Sequence, residues 1–147
     1  MYIPEELRRQ VISRADARCE NCGLAQVGQE ATFHIDHIHP SSLGGMTELE
    51  NLALACVSCS LRKGAEVSAF DHQSGETVPL FHPRRDLWNH HFRWGALEII
   101  GISATGRATV EALVMNRSIT LGIRREEALR VRHPSVGIAV KTESWAI

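Results

Sequence analysis

The four cysteines of this chain form two C-x-x-C pairs, Cys19 with Cys22 and Cys56 with Cys59, and none is left over. In a reducing compartment this pattern favours a bound metal over disulfides. Four thiolates suit a tetrahedral zinc ion in a closed, structural site. The 33 residues between the pairs exceed the roughly 15–20 of common zinc ribbons. We therefore expect a structured insert clamped by the metal; the competing interpretation is four unrelated buried thiols.

The chain around these cysteines predicts a helix, a hairpin and a second helix. Apolar residues four apart and an early proline predict a helix over residues 4–18. Alternating apolar and polar residues predict a strand within residues 31–38, and a returning strand is expected over residues 51–56, after a loop broken by proline and glycines. Residues 58–69 predict a short helix that ends or weakens at Gly64.

The second half of the chain gives weaker signals. Residues 74–94 are dense in proline, aromatic residues and histidine, which favours irregular structure over a core. The other predicted elements are a strand over 97–103, a helix over 105–116, helical structure over 124–132 and an edge strand over 136–140. In the helix over 105–116, we expect Val110, Leu113 and Val114 to share one face.

The length of 147 residues predicts one compact domain of the α+β class. Residues 1–75 form its core with the cysteine pairs in this prediction. Residues 76–147 form a C-terminal extension of a strand and helices, packed on that core.

A dense group of ionisable side chains lies between the cysteine pairs, because His34, Asp36, His37 and His39 fall within six residues. The Asp36 carboxylate offers the oxygen ligand that Mg²⁺ prefers, and a neutral histidine can take a proton from water near pH 7. A regular strand puts Asp36 and His37 on opposite faces. A shared reaction centre therefore requires the strand to bend or end there.

Several of these candidates also have a purely structural interpretation. His34 is either a metal ligand or the neighbour of one, or an ordinary strand histidine. His39 precedes a proline, which is typical of a turn. Asn51 precedes a strand, where asparagine commonly hydrogen-bonds loop backbone. Arg62 and Lys63 can hold a phosphate or simply be solvated on a short helix.

The motifs occur in the order C-x-x-C, DHI-x-P, a Gly-Gly loop, E-N-L and C-x-x-C-x-x-x-K-G. With these motifs, residues 19–64 resemble the HNH endonuclease family in its version with two zinc knuckles. Residues from about 76 to 125 also resemble the C-terminal part of a group of small bacterial proteins labelled as HNH nucleases. The resemblance implies a ββα-metal fold, in which a hairpin and a helix surround one divalent cation, usually Mg²⁺ or a transition metal.

The resemblance also implies roles for individual residues. Asp36 corresponds to the carboxylate ligand of the cation, and His37 to the general base that deprotonates the attacking water. Asn51 corresponds to the central asparagine that fixes the loop and helps orient the base. The implied function is a metal-dependent DNA endonuclease or nickase that leaves 5′-phosphate and 3′-hydroxyl ends.

One residue departs from the family pattern: Ser60 follows the last cysteine, where asparagine or histidine usually completes the metal site. Asp36, Ser60 and waters can still hold Mg²⁺, which commonly keeps several waters, so we expect weaker affinity. His34 or His39 can add an imidazole, which would shift the preference toward Zn²⁺, Ni²⁺ or Mn²⁺. The alternative function is a zinc-stabilised nucleic-acid-binding or assembly module with weak or lost cleavage. A purely structural zinc protein is a third interpretation, which the histidine cluster disfavours.

The net charge of −1 argues against binding nucleic acid by bulk positive charge. Residues 1–75 carry 6 basic and 10 acidic side chains, whereas residues 76–147 carry 10 and 7. We therefore expect local contacts to DNA, first from Arg62, Lys63, Arg84 and Arg85, and then from Arg93, Arg107, Arg124, Arg125, Arg130 and Arg132. Trp88 and Trp94 can stack on bases, but a place in the core explains them better.

No apolar run approaches the roughly 18 residues that span a bilayer, and the N-terminus lacks the apolar segment of a secretory signal. We therefore expect a cytoplasmic protein without a membrane partner. Cutting both DNA strands needs two sites, so a homodimer or a protein partner that supplies specificity stays open.

Overall fold

The computed structural model describes residues 2–134, and the edge strand predicted over residues 136–140 lies outside them. The α-helices in this range are α1 (Glu5–Arg14), α2 (Val57–Lys63), α3 (Trp88–His91), α4 (Ala104–Ala112) and α5 (Ser118–Leu129). The strands are β1 (His34–His37), β2 (Leu52–Ala55), β3 (Ser68–Asp71), β4 (Glu76–Pro79), β5 (Phe92–Gly95) and β6 (Glu98–Gly101). The strand β1 pairs with β2, β3 with β4, and β5 with β6, so the six strands in this range form three separate antiparallel hairpins.

The first hairpin and the helix after it form the predicted ββα unit. His34 of β1 lies opposite Ala55 of β2, and His37 lies opposite Leu52. All four residues of β2 are buried. The helix α2 follows at once, and it contacts both strands. The predicted mixed α and β fold with a ββα core is therefore confirmed.

The helix α1 is shorter than the predicted span of residues 4–18. It ends at Arg14 because Asp16 and Ala17 adopt φ angles of 57° and 53°, which turn the chain toward the first cysteine pair. The Arg14 guanidinium donates to the carbonyl oxygens of Leu49 at 2.9 Å and Leu52 at 2.6 Å. These bonds attach the helix to the start of β2.

The segment predicted to be irregular, residues 74–94, instead contains β4, α3 and most of β5. The strands β3 and β4 pair across a turn in which Gly75 has a φ of 75° and Ser74 N donates to Asp71 Oδ2 at 3.0 Å. The helix predicted over residues 58–69 ends at Lys63, and β3 begins at Ser68. The division proposed at residue 75 falls within this hairpin.

The predicted helix over residues 105–116 is also shorter, because α4 ends at Ala112. Leu113 is buried, but Val114 has a φ of 46° and is 39% exposed, so it does not share the buried face as predicted. The predicted strand over residues 97–103 is β6, and α5 contains Glu126, which pairs with Arg130 at 3.8 Å.

One hydrophobic core contains side chains from both proposed parts of the chain. Trp88 is almost fully buried, and its ring lies 5.1 Å from that of Phe92 and 5.4 Å from that of Trp94. Other members of this core are Val11, Phe33, Leu52, Leu54, Phe81, Ile99, Leu113 and Met115. No helix within residues 2–134 is long and apolar enough to cross a bilayer.

Candidate metal centre and nuclease site

Four buried thiols meet at one point beside the hairpin. The ligand atoms of Cys19, Cys22, Cys56 and Cys59 all lie within 4.8 Å of one another. Tetrahedral zinc with bonds of about 2.3 Å places its sulfurs about 3.8 Å apart. The Cys22 and Cys56 Sγ atoms are 3.8 Å apart, which fits this geometry. Within residues 2–134, no other group of three or more His, Cys, Asp or Glu ligand atoms converges in this way. The predicted cluster able to bind a metal such as zinc is confirmed.

Local backbone structure brings each cysteine pair into position. In the first pair, Gly23 N donates to Cys19 O at 2.8 Å, and Gly23 adopts a φ of 79° that closes the turn. In the second pair, Cys56 caps α2, and its Sγ accepts from Cys59 N at 3.4 Å. Hydrogen bonds with the other three thiols raise the pKa of Cys59, because they favour its protonated form, and burial acts in the same direction. A divalent cation bound among the sulfurs would instead favour the thiolates and so lower the pKa of the thiols.

Glu20 and Asn21 fasten the first cysteine turn to the rest of the fold. Glu20 N donates to Leu54 O at 2.8 Å, and Leu54 N donates to Glu20 Oε2 at 2.9 Å. The second Glu20 oxygen pairs with the Arg84 guanidinium, and Trp88 Nε1 donates to Asn21 O at 2.9 Å. The thiol cluster is therefore tied both to the hairpin and to the C-terminal part of the chain.

A chain of hydrogen bonds joins β1 to α2 next to this cluster. Ser60 Oγ donates to Asp36 Oδ1 at 2.7 Å, and His34 Nδ1 lies 2.8 Å from the same hydroxyl. His34 and Asp36 are two residues apart, so they share the face of β1 that meets α2. Burial raises the pKa of Asp36, while the Ser60 bond and the Lys63 ammonium act in the opposite direction.

His37 has a different environment from Asp36. Its Nε2 lies 2.8 Å from Thr47 Oγ1, in the loop between β1 and β2. The ladder pairs every residue of β1, and the strand ends at His37. Of the two alternatives expected from the sequence, a bend in the strand or its end, the structure shows the end of β1 at His37.

Asn51 closes the loop that carries Thr47. Its Oδ1 accepts from His39 N at 2.8 Å, and its Nδ2 donates to His39 O at 3.0 Å and to Met46 O at 2.9 Å. Gly45 allows this closure, because a Cβ there would lie 1.8 Å from His39 O. His39 Nε2 lies 3.1 Å from Leu43 O, so His39 contacts its own turn. Asn51 and His39 therefore bind the backbone of the loop, as their structural interpretation expects.

The basic residues predicted to contact nucleic acid fall into two groups. Arg62 and Arg85 are exposed. Lys63 is buried and donates to Ile38 O at 3.1 Å, and the Arg84 side chain is 9% exposed beside Glu20. Burial removes Lys63 and Arg84 from the predicted surface, which corrects that part of the expectation.

Other arginines from the C-terminal part also have structural partners. Arg107 binds Asp71 with two hydrogen bonds, at 3.0 and 3.1 Å, and this contact lowers the pKa of Asp71. Arg124 is buried and donates to the carbonyl oxygens of Leu97 and Met115. Arg132 pairs with Glu127. The guanidinium groups of these three arginines therefore bind partners within the fold.

A cleft of about 520 Å³ lies behind the loop, between it and the segment that follows β4. Lys63, His82 and Arg85 share its wall with Glu48 and Asp86. Because both signs of charge line it, the cleft offers no uniformly positive surface to a phosphate chain.

The sequence did not single out Thr47 and Glu20. Thr47 lies ten residues after His37, and only the closed loop brings the two side chains together. Glu20 lies 64 residues from Arg84. No local pattern marks either pair, whereas the hydrogen bond from Ser60 to Asp36 joins two residues that the family pattern already placed together.

Comparison with known proteins identifies the segment that carries this site. Residues 19–66 match the model of a family described as HNH endonuclease. The matched segment contains both cysteine pairs, β1, β2, the loop and α2. No curated protein and no solved structure gives a significant match. The similarity to HNH endonucleases is thus carried by residues 19–66, and it supports a nuclease-type or nucleic-acid-related function at the level of the family.

Proposed function

We propose that this protein is a metal-dependent DNA endonuclease or nickase that hydrolyses phosphodiester bonds with one divalent cation. The observation that carries the proposal is the 2.7 Å separation of Asp36 Oδ1 and Ser60 Oγ within the HNH domain. Around an octahedral cation with bonds of 2.0–2.1 Å, neighbouring ligand atoms lie about 3 Å apart. The two hydrogen-bonded oxygens therefore need to separate by only about 0.3 Å to share a cation such as Mg²⁺, Mn²⁺ or Ni²⁺.

Asp36 and Ser60 hold the cation in this proposal, and Asp36 supplies the charge. When bound, the cation polarises the scissile phosphate and stabilises the leaving 3′ oxygen. The four cysteines hold zinc, which keeps α2 and the hairpin in register and takes no part in the reaction.

His37 acts as the general base. Its Nε2 lies 2.8 Å from Thr47 Oγ1, and in the proposed tautomer Nε2–H donates to that hydroxyl oxygen, which leaves the Nδ1 lone pair to take a proton from the attacking water. Asn51 acts through the loop: by binding His39 and Met46 it fixes the position of Thr47, and thereby the ring of His37. Exposed Arg62 and Arg85 contact backbone phosphates, which gives register without sequence information.

Hydrolysis by this route breaks the bond to the 3′ oxygen, so each nick carries a 5′-phosphate and a 3′-hydroxyl. We expect supercoiled plasmid treated with the protein to accumulate open circles that DNA ligase reseals without prior end repair. A chain with one such site nicks before it cuts both strands. Nicks that need phosphatase or kinase treatment before ligation would contradict the assigned direction of cleavage.

Substituting Ser60 with asparagine tests the cation site. The amide oxygen is a stronger ligand than a hydroxyl, so we expect the S60N protein to reach half-maximal cleavage at a Mg²⁺ concentration about tenfold lower. A Mg²⁺ titration of plasmid nicking measures this, with Ser58→Ala on the same helix as the control. An unchanged or raised Mg²⁺ requirement would mean that another group completes the site.

The hydrogen bond from Ser60 to Asp36 also favours a second candidate function. Asp36 Oδ1 accepts this hydrogen bond, so the carboxylate has a partner even when no cation is bound. The domain can then act as a zinc-stabilised nucleic-acid-binding or assembly module without cleaving DNA. This candidate predicts salt-sensitive binding to DNA with no nicking under any cation. A filter-binding assay run beside the cleavage assay separates it from the nuclease.

A further inference from the structure

His34 is the described histidine whose side chain reaches the Asp36 and Ser60 pair. The Ser60 hydroxyl donates its one hydrogen to Asp36 Oδ1, so it accepts from His34 Nδ1 across their 2.8 Å contact. His37 contacts Thr47 and His39 contacts Leu43, both in the loop. His34 is therefore placed apart from the other histidines of the cluster and next to the candidate cation site.

The three donor atoms are hydrogen-bonded to one another, and their spacing is also close to that of neighbouring ligands around one cation. Ser60 Oγ lies 2.7 Å from Asp36 Oδ1 and 2.8 Å from His34 Nδ1. Neighbouring ligands of a six-coordinate first-row cation lie about 3 Å apart. A shift of a few tenths of an ångström and transfer of the ring hydrogen to Nε2 would let all three atoms face one ion.

The departure at Ser60 gives this arrangement a chemical consequence. A hydroxyl on α2 is a weak ligand, and a lone carboxylate leaves most of the coordination shell to water. The imidazole nitrogen of His34, which contacts the Ser60 hydroxyl from β1, would supply a stronger ligand than that hydroxyl.

We propose that His34 is a direct ligand of the catalytic cation and compensates for Ser60. The site then contains one carboxylate, one imidazole and one hydroxyl, a set that favours borderline cations such as Mn²⁺ and Ni²⁺ over Mg²⁺. This inference rests on the proposed function, because it assigns a ligand at the same cation site.

The test uses the full chain, loaded with zinc at the cysteines and then titrated with Mn²⁺. Pulsed electron paramagnetic resonance detects a directly coordinated imidazole as a ¹⁴N modulation of the Mn²⁺ signal. We expect this modulation in the unchanged protein and in the His72→Ala control, whose histidine is exposed on β3's hairpin beside Glu111. We expect it to be lost in His34→Ala, together with a 10- to 100-fold weaker Mn²⁺ affinity.

A second variant separates ligation from mere support of Ser60. His34→Gln keeps an N–H donor for the Ser60 hydroxyl but lacks the imidazole nitrogen. We expect the modulation to be lost here too, and the preference for Ni²⁺ over Mg²⁺ in binding to fall at least tenfold. Modulation that survives in His34→Ala, or an unchanged Ni²⁺ preference in His34→Gln, would overturn the proposal.

An Asp36→Ala protein distinguishes this failure from failure of the proposed function. If Asp36→Ala abolishes Mn²⁺ binding while His34→Ala leaves it intact, the cation site stands and His34 is not its ligand. If Mn²⁺ binding also survives in Asp36→Ala, both the His34 assignment and the proposed cation site are wrong.

Discussion

Substituting His37 with alanine is expected to slow metal-dependent plasmid cleavage by about 10²- to 10⁴-fold, which is the usual contribution of a general base. His37 lies at the end of β1, with Nε2 on Thr47. Alanine removes the only ring that the proposal assigns to deprotonate water. The side chain is half-buried at the edge of the hairpin, so the loss should fall on the rate rather than on the fold.

The matched control is His90→Ala, because His90 is an exposed histidine of α3. We expect that variant to cleave at the rate of the unchanged protein. Thermal unfolding and zinc content should be the same for all three proteins. Cleavage by a clean His37→Ala preparation at more than a tenth of the unchanged rate would show that another group acts as the base.

Substituting Cys56 with alanine is expected to abolish the cooperative thermal unfolding transition. Cys56 supplies one of the four buried sulfurs and also caps α2. Structural zinc contributes about 10 kcal/mol or more of apparent binding free energy in small domains. The whole stability of a domain is about 5–15 kcal/mol, so losing this contribution leaves little to hold the fold.

Circular dichroism with a parallel zinc determination measures this effect. Ser58→Ala lies in the same turn of α2 without a ligand sulfur, and it should unfold within about 0.5 kcal/mol of the unchanged protein. Removing zinc with a chelator should reproduce the Cys56→Ala result, and adding zinc back should restore the transition. A Cys56→Ala protein that unfolds like the unchanged chain would refute a structural role for the thiol cluster.

The parts of this fold that follow from local sequence were predictable. The two C-x-x-C pairs predict the thiol cluster and the helix α2 that carries the second pair. The histidine-rich motif predicts β1, and the segment that begins with the E-N-L motif predicts β2. Gly64 ends α2 because its φ of 52° suits glycine, as the sequence predicted. These features depend on spacing and on backbone preference over a few residues.

The parts that depend on distant contacts were not predictable from local patterns. The strand β4 forms in a segment predicted to be irregular because it pairs with β3, and β5 forms because it pairs with β6. Arg84 was expected on a nucleic-acid surface, but Glu20 holds it within the fold. Sequence reasoning also left open whether His34 was a ligand or an ordinary strand residue, and its contact with Ser60 depends on how α2 packs on β1.

The most direct test of the nuclease proposal is relaxation of supercoiled plasmid by the zinc-loaded chain in Mg²⁺, Mn²⁺, Ni²⁺ or EDTA. The proposal predicts open circles with at least one of these cations and none in EDTA, and the His34 assignment further predicts more cleavage with Mn²⁺ or Ni²⁺ than with Mg²⁺. An absence of cleavage with every cation, from folded protein that carries one zinc per chain, would contradict the nuclease function.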